Sequence, residues 1–388
     1  MTSKTRALVL AVSIPVIAFA VIGGFLGQAM TRDDTFRHLA VFEDVVSIVL
    51  NNYVEEVDVT KAMTGAMHGL SEALDSDSAY LTPALVKSVT DNDNPGTAEV
   101  GLEVVRQYYL RVVSARDGSP AARAGLRPGD YIRAIDTRAT RDMSAIEGMR
   151  LLRGAPGTKV SLLVIRGNAA EPHEIDLVRE RLSAPALTSR TAAPGVGYIR
   201  VAEFTADSAQ AIKQQIDRLS KAGASRFLID LRGTARGDVD HGLAVARLFL
   251  KSGTLGVRQS KNDQREIVAA QANDGSITMP LVLLTNVGTS GAAEVLAAAL
   301  DGNDRATLIG ERTLGRAARQ RLVKLPDGSG LWLSYLRYMT PKGEQLHQKG
   351  LMPDVAVDEP DIEFGSVPLT TDPVFERALE HLSVKKAA

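Results

Sequence analysis

The chain has 388 residues, 45% of them hydrophobic and 23% charged, so it can bury more than one core and is not a disordered or low-complexity sequence. A net charge of −1 gives no reason to expect nucleic acid as a partner. No cysteine is present, which removes disulfide staples and cysteine metal sites, and the six histidines show no ligand spacing, so neither a metal nor a cofactor is expected.

Lys4 and Arg6 precede an uncharged apolar run over 7–29, about the length that spans a bilayer. Basic residues before it and Asp33-Asp34 after it predict an N-terminus inside and a body outside, in the cell envelope. The expectation for 1–30 is an inner-membrane anchor with the body in the periplasm or outside. The alternative is a cleaved secretory signal with small residues Gly27 and Ala29 at its end.

From 35 to 74, Leu39, Phe42, Val45, Val46 and Val49, then Ala62, Met63, Ala66, Met67 and Leu70, recur at helical spacing on either side of 51–58. This predicts a helical region over 31–95 that ends in the polar linker Asp91-Asn92-Asp93-Asn94-Pro95-Gly96. Ser119 is placed to cap a short helix starting at Pro120, and Gly125 to end it. Pro128-Gly129-Asp130 reads as a turn into an alternating strand. With Leu151-Leu152-Arg153-Gly154 and Pro156-Gly157, these markers resemble a PDZ domain, placed at 96–183. Such a domain holds a peptide C-terminus as an added strand, with the carboxylate in a loop of amides. Here that loop falls at 97–102, before the strand Glu103-Val104-Val105. Gly101, Leu102, Glu103, Val104, Ile146 and Met149 are the candidate peptide-binding residues, the helix being expected near 143–152. The loop's usual second glycine is Glu99, which bears on carboxylate binding rather than on the fold. A domain that only packs against the rest of the chain is the alternative.

Residues 184–360 read as an α/β body. Expected strands lie at 197–201, 226–231, 281–284 and 308–310, with helices from Asp207 or Ser208 to Leu219 and from Asp240 to Leu250. A hairpin is expected around the turn 327–330, and a last short helix at 373–382 within a tail over 361–388. The apolar run Leu281–Leu284 breaks through the turn Thr285–Ser290 into the alanine-rich 292–300. A strand-to-helix break of this kind leaves free backbone amides and is a common seat for a nucleophile.

Asn286-Val-Gly-Thr-Ser-Gly-Ala-Ala-Glu294 aligns without a gap with the nucleophile turn of the carboxyl-terminal processing peptidases, serine peptidases that use a Ser-Lys pair. Arg305-Ala306, Gly310, Thr313-Leu314-Gly315-Arg316 and Gln320 fall in register with the segment that carries the lysine. The chain resembles that family along most of its length. The resemblance implies a multidomain α+β/α/β fold and a role in proteolysis or in holding protein C-termini. It also places the family nucleophile on Gly291 and the family base on Arg316, with the orienting Gln320 retained. Glycine has no group to attack with, and an arginine with a pKa above about 12 cannot act as a base. The family's oxyanion loop falls on Asp230-Leu-Arg-Gly-Thr-Ala-Arg-Gly237, where Thr234 replaces an asparagine and Arg236 the first of two paired glycines, Gly237 being kept. The expectation is a pseudopeptidase that binds protein tails or a partner, alone, as a homo-oligomer or with an active relative. Glu294 or a bound carboxylate is expected to face Arg316. The alternative is an active enzyme with a shifted nucleophile, Ser290 or Thr289, and a base such as His241 or Lys342.

Overall fold

The computed structural model describes residues 36–91, 96–167, 171–182, 186–360, 362–364 and 371–384. The anchor expected over 1–30 lies outside these. Among the described residues, no helix is long and apolar enough to cross a membrane. The chain divides into two compact units, residues 1–66 and 67–388. In the first, a helix over 36–52 carries the expected stripe, and Leu39, Phe42, Val45 and Val49 on it are all exposed. The helix Val59–Glu72 begins in this unit and ends in the second.

In the second unit, residues 96–182 form an antiparallel sheet. Its strands Leu102–Gln107, Tyr109–Ala115, Tyr131–Ile135, Lys159–Ile165 and His173–Val178 are neighbours in that order, and Leu102–Gln107 lies at an edge. Lys159–Ile165 buries every second residue, as a strand with one solvated face must. Ser119 Oγ accepts from the Ala122 N–H to start Pro120–Arg123, and Ser144 Oγ accepts from the Glu147 N–H to start Ala145–Leu151.

The body is built on a sheet ordered Leu187–Ala193, Val196–Val201, Arg226–Asp230, Leu281–Thr285, Thr307–Gly310, Val355–Ala356. All neighbours are parallel except the first pair. The run Leu281–Thr285 is apolar without alternation because both of its faces are covered. Leu281 and Leu283 pack with the helices Ser208–Lys221, Val239–Ala246 and Ala292–Asp301. Val282 and Leu284 pack with Val374, Ala378 and Leu382 of Pro373–Val384. A second sheet joins Ala79–Leu81, Gly330–Met339, Thr254–Ser260 and Arg265–Ala269, with Ala318–Lys324 on the hairpin partner of Gly330–Met339.

Two expectations need correction. Asp207 precedes its helix but makes no cap bond, because its backbone is already helical (φ −90°, ψ −1°); Ser208 Oγ accepts from the Thr205 N–H instead. The helix expected to reach Leu250 ends at Ala246, where the Leu248 and Phe249 amides tighten onto Val245 and Ala246.

Candidate functional site

The central strand ends at Thr285, and the turn after it is tied down by its own polar side chains. Asn286 Oδ1 accepts from the Gly233 and Gly288 amides at 2.8 and 3.0 Å, which fixes the turn to the loop after strand Arg226–Asp230. Thr289 Oγ1 donates to the Leu231 carbonyl at 2.9 Å and accepts from the Asn286 N–H at 3.0 Å. Its hydroxyl is buried and fully used, which removes Thr289 as a nucleophile. Gly288 sits so close to Pro128 and Val113 that a side chain there would overlap the Val113 carbonyl. The turn is therefore pressed against the PDZ-like domain.

Gly291 stands at the start of Ala292–Asp301 with φ +61° and ψ −119°. L-residues hold such a conformation only under strain, and a nucleophile turn is one of the few places where they do. A Cβ at this position would meet nothing closer than the carbonyl oxygens of Ala235 and Arg316 at 3.9 Å. The seat for a side chain is present and empty.

Glu294, fully buried one turn into the helix, binds this turn to the loop that carries position 316. Its Oε1 accepts from Thr313 Oγ1 and the Gly315 N–H, both at 2.5 Å. Its Oε2 accepts from the Arg316 N–H at 2.7 Å and the Gly291 N–H at 3.3 Å. Burial pushes this carboxyl above its usual range even though four donors pull it back. Glu294 thus receives the backbone of Arg316. The partner of the guanidinium is a different residue, Asp77, whose Oδ1 lies 2.6 Å from Arg316 Nε. Burial works against the charged guanidinium, but Asp77 and Glu103 more than offset it and hold Arg316 above its ordinary value. Gln320 donates to Ser334 Oγ at 3.3 Å and does not touch Asp77.

The facing rim is ionic. Arg236 bonds both oxygens of Glu99, at 2.7 and 2.5 Å, and lies 2.8 Å from Glu103. Burial raises Glu99, but Arg236 outweighs it and leaves Glu99 below the usual glutamate range; at Glu103 burial wins and the carboxyl is pushed up. Arg116–Glu203 at 3.1 Å and Arg200–Asp117 at 3.0 and 3.1 Å extend the contact between the PDZ-like domain and the body. Gly237 has φ +119°, and a Cβ there would overlap the Phe204 carbonyl, so the second oxyanion-loop glycine is needed as glycine. Thr234 is a structural residue: it is fully buried, and its hydroxyl receives Arg200 at 3.0 Å.

A cavity of about 360 Å³ lies between these groups, lined by Glu103, Arg236, Ser290, Gly291, Arg316 and Gln320 among others. Ser290 Oγ is buried and has no hydrogen-bond partner among the described residues. Neither His241 nor Lys342 bonds it. Lys342 is exposed and acts on Asp301 at the far end of the ten-residue helix, about 15 Å along its axis. Of the expected peptide-binding residues, Gly101 has φ +81° and packs so tightly on Ser119 that only glycine fits. Leu102 and Val104 turn inward to the domain core, and Glu103 turns to Arg236. Ile146 and Met149 line a second cavity of about 240 Å³ with Val89, Trp332, Arg316 and Gln320.

A PDZ domain beside an α/β body whose strand-to-helix turn faces a lysine-position residue is the architecture of a PDZ-bearing serine peptidase. The model of a PDZ domain matches residues 111–166, and that of peptidase family S41 matches 195–357. A carboxyl-terminal-processing protease of Synechocystis sp. is 35% identical over 291 residues, 73% of this chain and 68% of that protein. The carboxy-terminal processing protease CtpA of Bacillus subtilis is 32% identical over 87% of this chain and 72% of its own length. The solved photosystem II D1 C-terminal processing protease superposes with a TM-score of 0.69 at 29% identity, covering 82% of this chain and 86% of that one. The chain belongs to the carboxyl-terminal processing proteases of peptidase family S41.

Proposed function

We propose that this chain is a non-catalytic member of its family, held at a membrane by residues 7–29, that binds the C-termini of other proteins outside that membrane. The observation that carries the reading is the pair of positions 291 and 316. The seat shaped for a nucleophile holds glycine, and the group opposite is a guanidinium fixed by Asp77 and held in its charged form. Acyl transfer needs a nucleophile whose proton a nearby base can take. Ser290 has a hydroxyl in the same cavity but, among the described residues, no hydrogen-bond partner to act as its base, and Arg236 stands in the loop where the family stabilises an oxyanion. The PDZ domain and the open cavity support a retained binding role. The test is hydrolysis of casein and of unstructured peptides by the purified full-length chain. No cleavage is expected. Cleavage that disappears in Ser290→Ala would establish a shifted nucleophile and end the non-catalytic reading.

A further inference from the structure

Arg316 is engaged through Nε alone. Its two Nη groups have no protein partner among the described residues, and the side chain remains about one-quarter exposed. Arg316 and Gln320 line both cavities, the polar one of about 360 Å³ and the one of about 240 Å³ beside Ile146, Met149 and Trp332. Asp77 is itself buried and grips Nε at 2.6 Å through Oδ1 alone, so it anchors the guanidinium at one nitrogen and leaves the hydrogens of the Nη pair to give. A planar fork of N–H donors matches a carboxylate in two parallel hydrogen bonds. Gln320 gives one hydrogen of its amide nitrogen to Ser334 and keeps the second, and Ser290 adds a hydroxyl, 1% exposed and without a partner among the described residues, to the same polar cavity.

The usual carboxylate seat of the PDZ domain is poorly suited to the task here. Its loop carries Glu99, whose oxygens are both on Arg236, and Glu103 follows on the strand beside it. A carboxylate placed there would meet two acidic side chains whose cation is already spent. The charges around the polar cavity otherwise close on one another: Glu103 and Glu99 on Arg236, Glu203 on Arg116, and Asp77 on Arg316 Nε. Arg153 also lines both cavities, about half exposed and only 3.9 Å from Glu99; the Arg316 fork is the more buried of the two donors left over.

We propose that Arg316, with Gln320, is a seat for the free carboxylate of a protein tail, and that the cavity at Ile146, Met149 and Trp332 takes the apolar side chain of the tail's last residue. This rests on the tail-binding reading above and assigns the carboxylate to the body rather than to the PDZ loop. The site reads two things at once: a terminal carboxylate, which no internal peptide offers, and an apolar final residue.

The test is fluorescence anisotropy on the purified full-length chain. The probes are a labelled decapeptide ending in leucine with a free carboxylate, its amidated twin, and twins ending in alanine and in aspartate; acetyl-leucine serves as a competitor that supplies the same chemistry without a peptide. The expected result is saturable binding of the leucine acid, weakened about ten- to a hundred-fold by amidation. The same loss is expected in the Asp77→Asn/Arg316→Gln double variant, which removes the pair together so that no buried charge is orphaned. Acetyl-leucine competes, and the aspartate twin binds more weakly. As a variant that does not touch the ion pair, Met149→Trp fills the apolar cavity and removes the preference for leucine over alanine at the last position. Carboxylate-dependent binding that is equal in wild type and double variant, or that keeps its leucine preference in Met149→Trp, overturns the seat and leaves tail binding standing. Equal binding of acid and amide overturns the seat as well. No binding of any probe at millimolar concentration overturns the tail-binding reading itself.

Discussion

The two walls of the polar cavity have been treated differently. The wall made by the strand-to-helix turn keeps its frame: Asn286 fixes the turn to the neighbouring loop, Thr289 is saturated, and Glu294 gathers four donors from both sides of the site. At its tip stands Gly291, with room for a side chain. The opposite wall has been rebuilt with charge, Arg236 on Glu99 and Glu103, and Arg316 on Asp77. On the proposed reading, a scaffold loses its chemistry at single side chains while the backbone that presented them stays in place, because that backbone is held by buried hydrogen bonds of its own. The rim has no such constraint, and ion pairs there can replace a reactive surface by a fixed one.

Glu294→Ala should break the first wall with the largest effect. It orphans the amides of Gly291, Gly315 and Arg316 and the Thr313 hydroxyl in a dry interior. A loss of about 3–5 kcal/mol is expected in urea denaturation. A change below 1 kcal/mol would mean that the turn is held by something else.

Arg236→Gln should break the second wall. Glu99 and Glu103 would then keep only the looser Arg153, 3.9 Å from Glu99, and the more distant Arg316, at a cost of about 2–4 kcal/mol. Amide exchange over 97–103 should accelerate while that over 281–296 stays unchanged. Equal acceleration of both would show that the walls are one cooperative unit.

Gly291→Ser asks whether the frame can still accept its missing group. The seat has room, but a serine must hold φ +61°, so stability should fall by about 1–3 kcal/mol without any casein hydrolysis. Adding Arg316→Lys supplies a group that desolvation can discharge, and weak hydrolysis is then expected. Hydrolysis in the single variant would reveal a base other than position 316.

The smallest expected effect is on acidity. The folded pKa of Glu99 is depressed, so its contribution is complete above the unfolded value near 4.5 and is lost as pH falls through the folded value. Glu103 is raised and opposes this, regaining stability as it protonates. Because Asp75, Asp230 and Asp238 are depressed as well, the effect is read as the difference between wild type and Glu99→Gln in a pH titration of stability: the variant should lose slightly less stability than wild type on acidification, and identical curves would remove Glu99 from the account.

Much of the frame was legible in the sequence. The unbroken apolar run at 281–284 marks a strand covered on both faces, the turn composition marks the break, and Ser119 and Gly125 bracket their short helix as read. Strands such as Arg265–Ala269 left no signal, since that edge strand is almost wholly exposed and shows no alternation. Arg236, Arg316 and Glu99 were visible as three separate departures from the family pattern. That Arg236 and Glu99 answer one another was not, because they stand 137 positions apart, and Asp77, 239 positions from Arg316, gave no sign of a role. Local pattern reports which face a residue takes, while ionic partners depend on how whole domains dock.

The backbone at Gly291 carries a consequence for descent. Any side chain at this position would sit in a conformation that the rest of the fold must enforce. On the non-catalytic reading proposed above, exchanging such a side chain for hydrogen would end activity and, in the same step, relax the chain. Loss of function here runs thermodynamically downhill, and the stability released widens the range of later substitutions the fold can tolerate, among them changes as disruptive as a guanidinium at 316. The return is uphill: a new hydroxyl must again be held under strain before a base exists to use it, so selection for activity has nothing to act on until several changes are made together.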